Sequence, residues 1–162
     1  MKGKKGLIMG LANDRSLAWG IARALGEQGA ELAFSYQGEA LEKRVRPLAQ
    51  ELGSDFLIDC DVSDNHALDR AFEELGRRWD GLDFVVHAIG FSDKNELRGK
   101  FVDTSVDNFL LTMNISVYSF IAVAQRARRM MKAGGSLLTL TYYGAEKVIP
   151  HYNVMGVAKA GL

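Results

Sequence analysis

A chain of 162 residues, 48% hydrophobic and 25% charged, has the length and apolar content of one soluble domain with a sizeable core. Its 20 Lys and Arg balance 20 Asp and Glu, which excludes the basic footprint of a nucleic-acid binder and gives no pull toward an anionic membrane surface. The single cysteine, Cys60, excludes an internal disulfide framework, and His66, His87 and His151 lack metal-ligand spacing, so no metal site is expected.

The basic start Met1-Lys2-Gly3-Lys4-Lys5 leads into an apolar run soon broken by Gly10 and by Asn13-Asp14-Arg15, which no signal peptide or membrane span tolerates. A cytoplasmic protein without a membrane segment is expected. Residues 6–9 read as a strand. Residues 16–28, apolar at Leu17, Ile21, Ala24 and Leu25, read as a helix capped by Ser16 or Asp14. Gly20 inside that helix costs about 1 kcal/mol against alanine, and close packing on a strand would account for it. Strands follow at 31–36 and 56–58, with helices at 39–52 and 64–79. Residues 83–88, Asp-Phe-Val-Val-His-Ala, form the most β-like run. Residues 106–132 read as a long helix closed by Gly134-Gly135, and residues 136–141 as a fifth strand. Strand and helix alternate throughout, without repeat or linker. That pattern predicts an α/β fold: a doubly wound, Rossmann-like parallel sheet in three α/β/α layers, forming a single domain over residues 1–162.

In such a fold, ligands bind at the carboxyl ends of the strands. Gly10 ends the first strand and permits a tight turn, and the amides at the start of the next helix, near Ser16 and Leu17, face the place for a pyrophosphate. This is not G-x-G-x-x-G, so the loop alone is an incomplete signal. Gln37, after the second strand, sits where an acidic residue would bond an adenosine ribose. Asp61-Val62, after the third, can hydrogen-bond an adenine amino group and pack on its ring. Ala88-Ile89-Gly90, after the fourth, offers a close backbone approach. Turn chemistry explains any one of these loops, but not their coincidence at four successive strand ends. No Arg or Lys directly follows Gln37 to receive a 2′-phosphate, which favours NADH over NADPH, although Lys43 and Arg44 lie about one helical turn on.

Tyr152 and Lys159 are separated by close to two helical turns, so on a helix they share one face roughly 10 Å apart along the axis. An ammonium beside a phenol lowers its pKa, and the pair suits proton donation to a carbonyl oxygen that gains charge. Other polar residues have plainer explanations. Asn114 fits a helix-to-helix hydrogen bond and His87 a satisfied core histidine; Tyr143 and Met130-Met131 fit packing. The run Arg126-Ala127-Arg128-Arg129 is either a docking patch for an acidic carrier protein or a solvated helix face.

With these residues in view, the chain resembles the short-chain dehydrogenase/reductase superfamily and, more narrowly, the bacterial NADH-dependent enoyl-[acyl-carrier-protein] reductases of type II fatty acid synthesis. The likeness rests on Gly10 to Gly20 with Ser16, on Cys60-Asp61-Val62, on Val86-His87-Ala88-Ile89-Gly90-Phe91, and above all on Tyr142 followed by Tyr152 and Lys159. The resemblance implies an oxidoreductase that reduces the trans-2 double bond of an enoyl thioester on acyl carrier protein. It implies cofactor contacts from Gly10, Ser16, Leu17, Gln37, Asp61, Val62, Ile89, Gly90 and Lys159, and a substrate contact through the backbone of Ser92. Tyr152 would hydrogen-bond the thioester carbonyl oxygen, with Tyr142 in support. A ketone or alcohol dehydrogenase using Thr139 remains an alternative, as does a non-catalytic dinucleotide sensor. In the family the chain continues past the position of Leu162 into further strands, a cover for the nicotinamide and a tetramer surface. An N-terminal portion of a longer polypeptide, truncated after the fifth strand, is therefore expected. Alone it would be insoluble or inactive; at full length it would be a homotetramer.

Overall fold

The computed structural model describes all 162 residues. Five strands, β1 (Lys5–Met9), β2 (Glu31–Tyr36), β3 (Leu57–Asp59), β4 (Phe84–His87) and β5 (Ser136–Thr139), form one sheet in the order β3-β2-β1-β4-β5. The pairings β1–β2, β1–β4 and β2–β3 are all parallel, with Ile8 opposite both Phe34 and Val86. The sequence order reverses between β1 and β4, so their carboxyl ends mark the switch point where a doubly wound sheet takes its ligand. The chain divides into two compact units, residues 1–88 with 122–138, and residues 89–121 with 139–162.

The first unit contains the sheet and the helices that cover it. Because strand side chains alternate, Ile8, Leu32, Phe34, Phe84 and Val86 share one face of the sheet. There they pack with Ala18, Trp19 and Ala22 of α1 (Leu17–Glu27) and Val45 and Ala49 of α2 (Gly38–Glu51). Phe34 is wholly buried, which contributes about 2–3 kcal/mol. Leu7, Ala33 and Val85, equally buried, point to the opposite face. The buried stripe Leu68, Ala71, Phe72 and Leu75 belongs to α3 (Asn65–Arg78). That helix starts where Asp64 accepts the His66 amide at 2.8 Å and ends on Arg77 and Arg78, whose charge suits a helix C-terminus. Cys60, buried after β3, has its thiol pushed up to about 12 by burial and by neighbouring carboxylates, which leaves it an inert core group.

Ser16 is the N-cap residue of α1, one of the two expected, although its hydroxyl turns back to accept the Ala12 and Asn13 amides, both at 3.1 Å, instead of a helix amide. Three expectations need correction. Gly20 is exposed and a Cβ there would meet open space, so strand packing does not explain it and nothing else in the structure does. The long helix is continuous over Val106–Met130, but it comprises α4 (Val106–Met113), a π-helical segment Asn114–Tyr118 and α5 (Ser119–Met130). The Ser119 hydroxyl donates to the Ile115 carbonyl at 2.6 Å, a local competitor for the ladder that fits this loosened winding. Finally, α6 is Asn153–Ala160, because left-handed backbone at His151 and Asn153 interrupts the predicted helical run.

Two glycines should respond oppositely to alanine. At Gly10 the backbone is left-handed, and a Cβ would lie 2.1 Å from the Ala88 carbonyl oxygen. Gly10→Ala should therefore cost about 3 kcal/mol or more in urea unfolding. Gly20→Ala, in an exposed helical position with free space, should gain about 0.5–1 kcal/mol in the same measurement.

Candidate active site

In the first unit, three predicted cofactor loops converge on anion and adenosine chemistry. Gly10 lets β1 end against the Ala88 backbone, at the switch point. The turn then enters α1, whose first turn carries no acidic residue, so the positive helix end near Ser16 and Leu17 is uncompensated. Leu17 itself is 73% exposed, an apolar side chain left in solvent at that helix end. Gln37 and Asp61 are joined directly, Nε2 donating to Oδ2 at 2.8 Å. The other Asp61 oxygen accepts from the Ser63 amide and hydroxyl at 2.8 and 2.7 Å, which locks the carboxylate beside Val62. The Asp59 carboxylate, in turn, accepts the Gly38 amide at 2.9 Å. One of the two Gln37 amide hydrogens is thereby engaged, which leaves a donor and the amide oxygen for a polar ligand such as a ribose hydroxyl.

In the second unit, Lys159 is the centre. Its ammonium donates to the Leu140 carbonyl at 2.9 Å and to the Ile89 carbonyl at 3.4 Å, and Thr141 Oγ1 donates to the Lys159 carbonyl at 2.7 Å. A Cβ at Gly90 would lie 3.3 Å from this ammonium and 3.4 Å from the Met155 methyl, so the lysine lies close under the glycine. Two of its three donors are spent on backbone, which leaves one for a cofactor hydroxyl. Ile89, Gly90 and Lys159 are thus brought together within this unit. The open backbone at Gly90 and an ammonium with one donor to spare fit the hydroxyl-bearing part of a dinucleotide.

Tyr152 is the N-cap residue of α6, rather than a member of it, and packs edge-on against Tyr142 with ring centroids 5.0 Å apart. Gly144 makes this pairing possible, since a Cβ there would lie 2.6 Å from the Tyr152 ring and 3.2 Å from the Tyr142 ring. Gly156 continues the close approach, its missing Cβ position being 2.9 Å from the Gly144 carbonyl oxygen. Burial, and then Tyr142, push the Tyr152 phenol above its ordinary value, and burial holds Lys159 below its own. The expected lowering of the tyrosine pKa by the lysine is therefore not found. Burial of the phenol governs instead, and it stays protonated, which suits a hydrogen-bond donor.

Ser92 lies in a polar ladder that sequence reasoning missed. Its hydroxyl donates to Asn108 Oδ1 at 3.2 Å and accepts from Thr112 at 2.8 Å, while the Asp93 amide donates to the same Asn108 oxygen at 2.9 Å. One turn on, Ser116 Oγ accepts the Phe91 amide and donates to the Phe91 carbonyl, both at 3.0 Å. The signal was available: Asn108, Thr112 and Ser116 recur every fourth residue and so share one face of the helix. Tyr143, expected to pack, is exposed, and Asn114 opens the π-helical segment. Arg126 is no free docking charge. Its guanidinium bonds Asp69 at 2.8 Å and the Ala122 and Asn65 carbonyls, and its side chain is only 13% exposed.

A family model described as enoyl-(acyl carrier protein) reductase matches residues 10–162. The chain belongs to the enoyl-(acyl carrier protein) reductase family, within the short-chain dehydrogenase/reductase superfamily. It is 65% identical over its whole length to enoyl-[acyl-carrier-protein] reductase [NADH] 1 of Rhizobium meliloti, covering 60% of that protein. It is 52% identical to the corresponding NADH reductase of Rickettsia typhi, covering 62%. The crystal structure of the Anaplasma phagocytophilum reductase in complex with NAD superposes with a TM-score of 0.97 at 60% identity, over 100% of this chain and 62% of that one. The Bacillus cereus reductase, solved with NADP+ and an indole naphthyridinone, gives 0.96 at 48% identity over 99% and 63%. The chain thus spans about three fifths of the length of the reductases it matches.

The tyrosine pair depends on the missing Cβ at position 144. Gly144→Ala should displace the Tyr152 ring and lower kcat of a family reductase assay by about 10- to 100-fold. Far-UV circular dichroism and NADH affinity should be unchanged.

Proposed function

We propose that the protein is an NADH-dependent enoyl-[acyl-carrier-protein] reductase of fatty acid biosynthesis, acting on trans-2-enoyl thioesters. The observation that carries this is the Tyr142–Tyr152 pair at the start of the helix that bears Lys159, a protonated phenol half-buried against a second aromatic ring. Bound NADH supplies the hydride for the β-carbon of the thioester. Lys159 holds a hydroxyl of the nicotinamide ribose with its remaining donor. Ile89 and Gly90 line the same end of the cofactor, and Gly10, Ser16 and Leu17 take the pyrophosphate. Tyr152 donates to the thioester carbonyl oxygen, where negative charge grows as the enolate forms, and the α-carbon is then protonated. The Tyr142 ring excludes water from one side of that phenol, and the Ser92 backbone, fixed by Asn108 and Thr112, meets the acyl thioester.

NADH is favoured over NADPH by the surroundings of Gln37. A 2′-phosphate beside it would face the Asp61 and Asp59 carboxylates, and Lys43 is already paired with Glu39 at 2.7 Å. We read the protein as cytoplasmic, with no nucleic-acid partner. Val106–Met130 is long and apolar enough by composition to cross a membrane. Its inward polar side chains Asn108, Thr112, Ser116 and Ser119 favour instead the core helix of a protein outside the membrane. The outward face of the same helix is apolar, with Val106 72% and Leu110 60% exposed beside Tyr118 and Ile121. Such an inverted helix supports self-association, and a homotetramer is the assembly proposed.

Purified full-length protein mixed with NADH and a short trans-2-enoyl thioester should consume reduced cofactor, followed by absorbance, with NADPH far poorer at equal low concentration. Tyr152→Phe should lower kcat by about 10²- to 10³-fold and leave NADH affinity intact. Oxidation of alcohols or reduction of ketones, without enoyl turnover, would refute the assignment. An alkaline limb from Lys159 should begin below the ordinary lysine value, because burial disfavours its charged form. Lys159→Arg, charged throughout, should move that limb of the kcat/KM profile to higher pH.

A further inference from the structure

Tyr152 stands between two residues in left-handed backbone, His151 at φ 62° and Asn153 at φ 35°. Asparagine is among the few side chains that accept this conformation readily. The Asn153 side chain is not idle, however. Its Nδ2 donates to the carbonyls of Glu96 at 3.1 Å, Leu97 at 3.3 Å and Gly99 at 2.9 Å, sharing two hydrogens among three acceptors in one loop. That loop begins at Ser92 and Asp93, both held by Asn108, and it ends where the Glu96 carboxylate takes the Ser105 amide at 2.9 Å and hydroxyl at 2.7 Å. Ser105 in turn accepts the Asn108 amide at 3.1 Å at the start of α4. The hydrogen bonds close a circuit from Asn153 through residues 96–99, Ser105 and Asn108 to Ser92.

We infer that Asn153 is a positioning residue that sets Tyr152 and the Ser92 loop in register with each other. It acts twice: its backbone turns the chain so that Tyr152 caps α6, and its amide fastens the loop behind the thioester contact to the residue adjoining the phenol. The inference deepens the enoyl reductase reading and rests on it for the identity of the substrate. The Asn153 amide hydrogens are taken up by the loop carbonyls rather than left for a ligand. Its loss should therefore act on the geometry between the carbonyl donor and the thioester and leave the cofactor site unchanged.

Two variants separate the two actions. Asn153→Gly keeps the left-handed backbone and removes the amide. Asn153→Asp keeps the size and the tolerance for this backbone but sets an anionic acceptor against three carbonyl oxygens. With NADH bound, hydrogen exchange at residues 96–100 should quicken by about tenfold or more in both variants, with α1 and β1 unchanged. On a trans-2-enoyl thioester, kcat/KM should fall by about 10- to 100-fold, more for Asp than for Gly, while the NADH dissociation constant stays at the wild-type value. Wild-type exchange at 96–100 in both variants, or thioester kinetics equal to wild type, would overturn the inference. A fall in NADH affinity equal to the fall in kcat/KM would do the same, since it reports general damage. If the wild-type protein binds NADH but reduces no enoyl thioester, the proposed reaction fails, and the exchange measurement alone then decides whether Asn153 holds the loop.

Discussion

A lysine ammonium drawn halfway out of water must replace its hydration, and at Lys159 the replacement is the backbone itself. Its bonds to the carbonyls of Leu140 and Ile89 bring together the segment after β5, the segment after β4 and the helix α6. Gly90 is a glycine because the ammonium lies where its side chain would begin. Met155 fills the adjoining space, one helical turn before the lysine on the same face of α6. Remove the charge and two carbonyls lose their donor in a half-buried place, a cost of about 1–3 kcal/mol for each group left unpaired.

The phenol answers to its own surroundings. Burial disfavours the phenolate and Tyr142 adds to the shift. Burial against Tyr142 then dominates, so Tyr152 holds its proton firmly. A firmly held proton suits a group that must offer a hydrogen bond to developing charge, where the gain comes from geometry fixed beforehand rather than from proton release. The two glycines that admit this packing, Gly144 and Gly156, belong to the tyrosine site as much as the rings do.

Much of the fold was legible because alternating strands and amphipathic helices are a periodic signal. All five strands and the helices between them lie where hydrophobic spacing puts them, within a residue or two. The loops read as cofactor-binding each follow a strand in the structure, and a switch point needs no side-chain detail to locate. Less accessible were features that depend on contact at a distance in sequence. The Gln37–Asp61 bond joins residues 24 positions apart, and neither residue announces the other. The π-helical segment and the left-handed residues around Tyr152 are local, yet they arise from competition between side chains and the backbone ladder, which hydrophobic periodicity does not register. Gly20 marks the converse case, a glycine whose sequence position suggested a packing role that the structure does not contain.

The Gln37–Asp61 bond has a bearing on how this site could change over evolutionary time. Asp61 holds the Ser63 turn with one oxygen and steadies Gln37 with the other, so the two positions form one hydrogen-bonded unit. Replacing Gln37 by a cation, the simplest route to a phosphorylated ribose, would create an ion pair with Asp61 that neutralises the new charge before any ligand arrived. Removing Asp61 first would free the Ser63 turn and the Gln37 amide together, with no compensating gain. A lineage moving from one nicotinamide cofactor to the other would have to cross a valley in which neither is well held, and such coupling confines a protein to the cofactor it already uses.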